Sequence, residues 1–66
     1  MNSNEAGLAQ AAMIKLVMAG VERELSERGG KWTELQVNAD ATGVRVGHPG
    51  SDNYAVITVN LMGKLT

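Results

Sequence analysis

The chain has 66 residues, six basic and seven acidic side chains, and no cysteine. That length allows one small domain, whose single core supplies only about 3–5 kcal/mol. The missing cysteine excludes disulfides and thiolate metal sites, and the balanced charge, without a basic cluster, argues against a nucleic-acid binder or a polybasic membrane-surface protein.

Large aromatic anchors are scarce: the chain has no Phe, one Trp and one Tyr. One histidine, His48, does not build a structural zinc site without several carboxylates beside it. No metal and no cofactor are therefore expected. Of the devices that stabilise very small proteins, oligomerisation is the one this composition leaves open.

A helix is expected over about residues 4–28. Asn2 or Ser3 can cap it, and Asn2 with Glu5 has capping-box spacing. Glu5 also suits the positive end of the helix dipole. From Ala9 to Val21 every residue except Gln10 and Lys15 is apolar or glycine. A surface helix normally shows one apolar stripe and one polar face, but here the apolar character runs nearly all round. One ridge carries Ala11, Ile14, Met18, Val21 and Leu25, at spacings of three and four. A second carries Leu8 or Ala9, Ala12 or Met13, Leu16 or Val17, and Gly20. One ridge can lie on a sheet and leave the other for a second copy of the chain. Ala12, Ile14, Val17, Met18 and Val21 are the candidate residues of that contact. The run is too short to span a bilayer, which needs about 20 apolar residues, and Lys15 interrupts it. Residues 1–5 lack the basic region of a signal peptide, so a soluble, cytoplasmic protein is expected.

Glu22, Arg23, Glu24, Glu27 and Arg28 make the last turns polar, with Glu24 and Arg28 at a favourable i, i+4 spacing. Gly29-Gly30 ends the helix, Gly29 serving as a left-handed cap. The hydrophobic period then changes from 3.6 to 2. A strand is expected over about 31–39, with Thr33, Leu35, Val37 and Ala39 on one face and Trp32, Glu34, Gln36 and Asn38 on the other. Asp40-Ala41-Thr42-Gly43 is a turn, with Gly43 available for a positive φ. A short strand follows over about 44–47, then the loop Gly47–Asn53, then a strand over about 54–61. In that last strand Ala55, Ile57, Val59 and Leu61 face the helix, and Tyr54, Val56, Thr58 and Asn60 face away. Met62 to Thr66 either extend it or fray, and Gly63 weakens the case for extension. The expected fold is a single α+β domain over 1–66. One N-terminal helix packs on a three-stranded antiparallel meander (αβββ) in two layers, assembled as a homo-oligomer.

Two places offer chemistry. The loop Gly47–Asn53 holds His48, Ser51 and Asp52 among glycines, and such a loop can present backbone N–H groups to an anion. It matches neither the P-loop nor the dinucleotide pattern. The sheet face away from the helix would gather Trp32, Glu34, Gln36, Arg45, Tyr54, Thr58 and Asn60. Flat rings, a planar cation and directional amides suit a nucleobase or a phosphate-bearing molecule. The candidate ligand-binding residues are therefore Trp32, Arg45, His48, Ser51, Asp52 and Tyr54.

No nucleophile, base and orienting group share a recognisable arrangement, so no enzyme is expected. The expected function is a homo-oligomeric binding protein that sequesters a small anionic or nucleotide-like ligand between subunits. Short accessory proteins of phages and mobile elements share this size and simplicity, a likeness of type alone. The competing expectation is a protein-interaction module, an inhibitor or adaptor that docks through its apolar helix ridge or an open sheet edge.

Overall fold

Alanine, leucine, methionine, glutamate, lysine and arginine dominate the first 28 residues, and all favour the helical backbone. In the computed structural model, which describes residues 3–62, they form one helix, α1, over Ser3–Arg28. The capping residue Asn2, and with it the Asn2–Glu5 capping box, lies outside the described residues, as do residues 63–66. Gly29 and Gly30 stop the helix with φ values of 63° and 58°. Gly29 has ψ −166°, so it lies outside the left-handed helical well expected of a simple cap.

After the helix the chain departs from the expected strand over 31–39. Gly30–Glu34 is a 3-10 helix, and the strand β1 begins only at Gln36, covering Gln36–Ala39. Local hydrogen bonds account for the difference. Trp32 N–H donates to the Gly29 carbonyl at 3.3 Å, and Leu35 N–H to the Trp32 carbonyl at 3.3 Å. The Thr33 hydroxyl donates to the Gly30 carbonyl at 2.7 Å. The Arg28 guanidinium lies 5.9 Å from the centre of the Trp32 ring, a stacking contact across the junction. These short-range bonds outweigh the alternation of residues 31–35.

Two further strands complete an antiparallel meander in the order β1-β2-β3. Strand β2 is Gly43–Gly47 and β3 is Tyr54–Thr58, three residues shorter at its end than the expected 54–61. In register, Val37, Val46 and Ala55 lie across from one another, as do Ala39, Val44 and Ile57. Alternation along a strand puts these six on one face and Gln36, Asn38, Arg45, Tyr54, Val56 and Thr58 on the other. This gives the expected α+β meander beneath one N-terminal helix.

Asp40 makes the first hairpin turn. Its carboxylate accepts from the Thr42 N–H at 2.7 Å, the Thr42 hydroxyl at 2.7 Å and the Gly43 N–H at 3.1 Å. The Thr42 bonds, first from the hydroxyl and then from the amide, hold the Asp40 carboxyl below its ordinary value of 3.8. The turn's charge-linked stability is therefore present above that value and is lost as pH falls through the lowered one. Gly43 does not take the expected positive φ. It sits inside β2, where a Cβ would fall on the Ile57 carbonyl oxygen. The glycine is there for close approach of β3, not for turn geometry.

The helix is docked by a polar clamp as well as by apolar packing. The Gln10 amide donates to the Ala41 carbonyl at 3.2 Å and to the Val59 carbonyl at 3.0 Å. One side chain thus ties α1 to the first hairpin turn and to the end of β3. Only two apolar residues are fully buried among those described: Ile14, 5 % exposed, and Val44, 0 % exposed. α1 lies over β1, β2 and the 3-10 segment, and β3 lies beyond its main cover.

Ile14→Ala removes a side chain whose deletion costs about 2–5 kcal/mol, as much as the whole core of so small a domain provides. This variant is expected to lose its cooperative thermal transition by circular dichroism. Gln10→Ala leaves two carbonyls without their donor, at about 1 kcal/mol each. It should lower the melting midpoint by several degrees, at about 4–8 °C per kcal/mol, while the helical signal persists at 25 °C.

Candidate functional site

On the sheet face opposite α1, one hollow of about 170 Å³ collects much of the chain's polar chemistry. Gln36 and Asn38 of β1, Arg45 of β2 and Tyr54 of β3 form its sheet side. His48, Ser51 and Asn53 bring in the loop, and Gly47 joins the two. Gly47 is required sterically, because a Cβ there would stand 2.9 Å from Tyr54 Cβ. Any larger residue would push the tyrosine and the loop away from each other.

Arg45 is held from two sides. Its guanidinium lies 5.7 Å from the centre of the Tyr54 ring, and it pairs with the Asp40 carboxylate at 3.5 Å. Both partners of that pair are exposed, and exposed pairs contribute little, about 0–1 kcal/mol. The guanidinium can therefore exchange Asp40 for another anion at small cost.

His48 is set up to carry a proton. Its Nδ1 lies 3.1 Å from the Pro49 carbonyl and its Nε2 lies 3.0 Å from a Glu34 carboxylate oxygen. Both ring nitrogens face acceptors, an arrangement met in full only by the imidazolium. The hydrogen bond to Glu34 first, and then that to Pro49, raise the His48 pKa above its ordinary 6.5. The folding stability linked to this proton is complete below 6.5 and is lost as pH rises through the raised value.

The loop closes on itself. Ser51 N–H donates to the His48 carbonyl at 3.0 Å, with Gly50 at φ 81°. The Ser51 hydroxyl accepts from the Asn53 N–H at 3.1 Å. Those two amides are consumed inside the loop, so neither is available to the anion nest that Gly47–Asn53 could offer. Among the described residues no group of three His, Cys, Asp or Glu side chains could hold a metal ion.

Of the six candidate ligand residues, Arg45, His48, Ser51 and Tyr54 meet around this hollow. Trp32 does not. The 3-10 segment carries it, with Glu34, off the sheet face and into a separate, wider hollow of about 460 Å³ with Lys31, Leu35 and His48. His48 stands between the two. Asp52 is exposed and lines neither hollow. Asn60 lies past the end of β3. Of the candidate copy-contact residues, Ile14 belongs to the chain's own core, Val17, Met18 and Val21 are half-buried, and Ala12 is exposed. The helix also exposes Leu8, Met13 and Leu16. Gly47 was legible as the end of a strand and the start of a loop, and Asn53 as a loop residue, and nothing in their spacing marks them as walls of the hollow.

No protein-family model matches the chain, and no curated protein or solved structure does either.

The His48–Glu34 contact is directly testable. Glu34→Gln is expected to move the His48 pKa down toward 6.5 in an NMR titration of the ring protons. An unchanged value would show that the carboxylate does not hold the proton.

Proposed function

We propose that this chain is a non-enzymatic, homo-oligomeric binding protein that sequesters a small anionic, phosphate-bearing ligand at its outer sheet face. It would act in the cytoplasm as a short accessory protein. The observation that carries the reading is the convergence of Arg45, His48, Ser51 and Tyr54 on one hollow. Arg45 offers a planar fork of donors matched to a phosphate. His48 is biased toward its cationic form by Glu34 and Pro49. Tyr54 supports the guanidinium and presents a ring for stacking.

Size bears on how such a site would be completed. Pockets for small molecules usually measure about 300–1,000 Å³, and this hollow is about 170 Å³. It accommodates the charged head of a nucleotide-like molecule, while the remainder needs walls from elsewhere, most simply from another copy. Binding without turnover fits the groups present. Both ring nitrogens of His48 face other acceptors, the Pro49 carbonyl and the Glu34 carboxylate, so neither is placed to take a proton from Ser51. No helix among the described residues is long and apolar enough to cross a membrane.

Thermal-shift and calorimetric titrations with inorganic phosphate and a panel of mono-, di- and cyclic nucleotides test the reading. A ligand at a hundred times its Kd adds about 2.7 kcal/mol, which raises the midpoint of a domain this small by about 10 °C or more. Arg45→Ala should remove the shift, and binding should weaken as pH rises through the His48 pKa. Absence of heat and of any shift across the panel would contradict the proposal.

A further inference from the structure

Strand β3 is one of the two edges of the sheet; all five of its residues are exposed, whereas β1, the other edge, lies against α1. Tyr54 is 60 %, Val56 56 % and Ile57 38 % open to solvent. Long apolar edges of this kind are normally blunted with lysine, proline or a bulge. Within Tyr54–Thr58 the chain has no charged residue and no proline. The direction of the backbone groups follows from the hairpin. Val59 N–H donates to the Thr42 carbonyl at 3.0 Å, and the register places Thr42 across from Val59 in step with Gly43 and Thr58. Alternation then turns the N–H and C=O groups of Val59, Ile57 and Ala55 toward β2. Those of Tyr54, Val56 and Thr58 point out along the open edge.

We propose that two copies of this chain pair antiparallel through β3, with Val56 opposite its counterpart on the two-fold axis, forming one six-stranded sheet. This rests on the homo-oligomeric part of the function proposed above and names its contact. The register is self-complementary, as a two-fold contact requires. Val56 exchanges both hydrogen bonds with the partner's Val56, and Tyr54 and Thr58 exchange theirs with the partner's Thr58 and Tyr54. All three outward-pointing residues are thereby satisfied.

Side chains agree with the same register. Ala55 meets the partner's Ile57 on the helix side, a small residue against a large one in both symmetric positions. On the outer face the partner's Thr58 comes to rest beside Tyr54, at the rim of the hollow that holds Arg45 and His48. The second copy therefore adds a hydroxyl to each ligand site, and both sites lie on the same face of the joined sheet.

The chain exposes 5150 Å², against about 4,000 Å² for a compact monomer of its mass. That surplus is spread over the exposed helix residues Leu8, Met13 and Leu16 as well as Tyr54, Val56 and Ile57 of β3, so pairing through β3 covers part of it.

The chain has no cysteine, so a single introduced thiol reports on one position. In the proposed pair the two Val56 Cα atoms stand about 5.5 Å apart, inside the range a disulfide spans. Val56→Cys, Leu16→Cys on the exposed helix face and Ser26→Cys as a collision control would each be oxidised at equal concentration. Each would also be treated with a short bismaleimide, and wild-type mass would be measured by light scattering, all without ligand. The expected result is a wild-type mass twice the chain's 7.0 kDa, with Val56→Cys cross-linking at least about tenfold faster than Ser26→Cys. A wild-type dimer in which Val56→Cys reacts no faster than the control overturns the strand pairing but leaves self-association intact. The same conclusion follows if Leu16→Cys is the fast position. A folded wild-type monomer overturns both.

Discussion

A helix of 26 residues is about 39 Å long, whereas strands of four and five residues span only about 13–17 Å. This mismatch of lengths governs the rest of the molecule. The sheet cannot lie beneath the whole helix, and the 3-10 segment after Gly30 covers part of what is left. Ile14 and Val44 are the only fully buried apolar side chains among the described residues. The molecule measures 43 × 25 × 16 Å, with a radius of gyration of 13.9 Å. A compact domain of this length has a radius of about 11 Å. With so little interior, the Gln10 clamp and the Asp40 turn take on positioning work that packing performs in larger domains. They fix where the helix sits and where the first hairpin bends.

The candidate site lies on the other side of the sheet and depends on that constraint indirectly. Its side chains are exposed, and its ion pairs, Arg45 with Asp40 and His48 with Glu34, are individually weak. What they supply is placement. Asp40 and Tyr54 keep the guanidinium over the sheet, and the hydrogen bonds to Glu34 and Pro49 favour the charged form of the imidazole. Because β3 supplies both a wall of the hollow, through Tyr54, and the open edge, the proposed pairing and the proposed binding share one strand. In the proposed pair a change at Val56 or Thr58 reaches the candidate site through the partner strand, although neither residue lines the hollow within its own chain.

Much of the fold was legible in the amino-acid sequence. Helix formers up to Arg28, the paired glycines, the Asp40–Gly43 turn and the alternation in Gln36–Ala39 and Tyr54–Thr58 are local signals, and local hydrogen bonding carries them into the structure. The segment Lys31–Leu35 was misleading, since its alternating pattern is that of a strand. The side-chain and backbone bonds of Thr33, Trp32 and Leu35 hold it as a 3-10 helix instead. That one change removes Trp32 from the site and separates it from Tyr54. Arg45, His48, Ser51 and Tyr54 border one hollow, although residue type alone offered the loop and the sheet face as two separate places. The role of Gln10 was hidden, because a polar residue on an apolar helix gives no sign of which carbonyls it will meet. Gly43 was legible as special, but for a reason that only the position of the Ile57 carbonyl reveals.

Concentration dependence of thermal unfolding bears most directly on whether this helix and sheet need a second copy to be stable. If folding and pairing are coupled, the midpoint rises with protein concentration, because the folded state alone is drawn toward the dimer. A hundredfold increase in concentration adds about 2.7 kcal/mol per dimer, about 1.4 kcal/mol per chain, and the midpoint should climb by several degrees or more. A cooperative transition at the same temperature across that whole range would show that the single chain stands alone, and would contradict the coupling of folding to pairing.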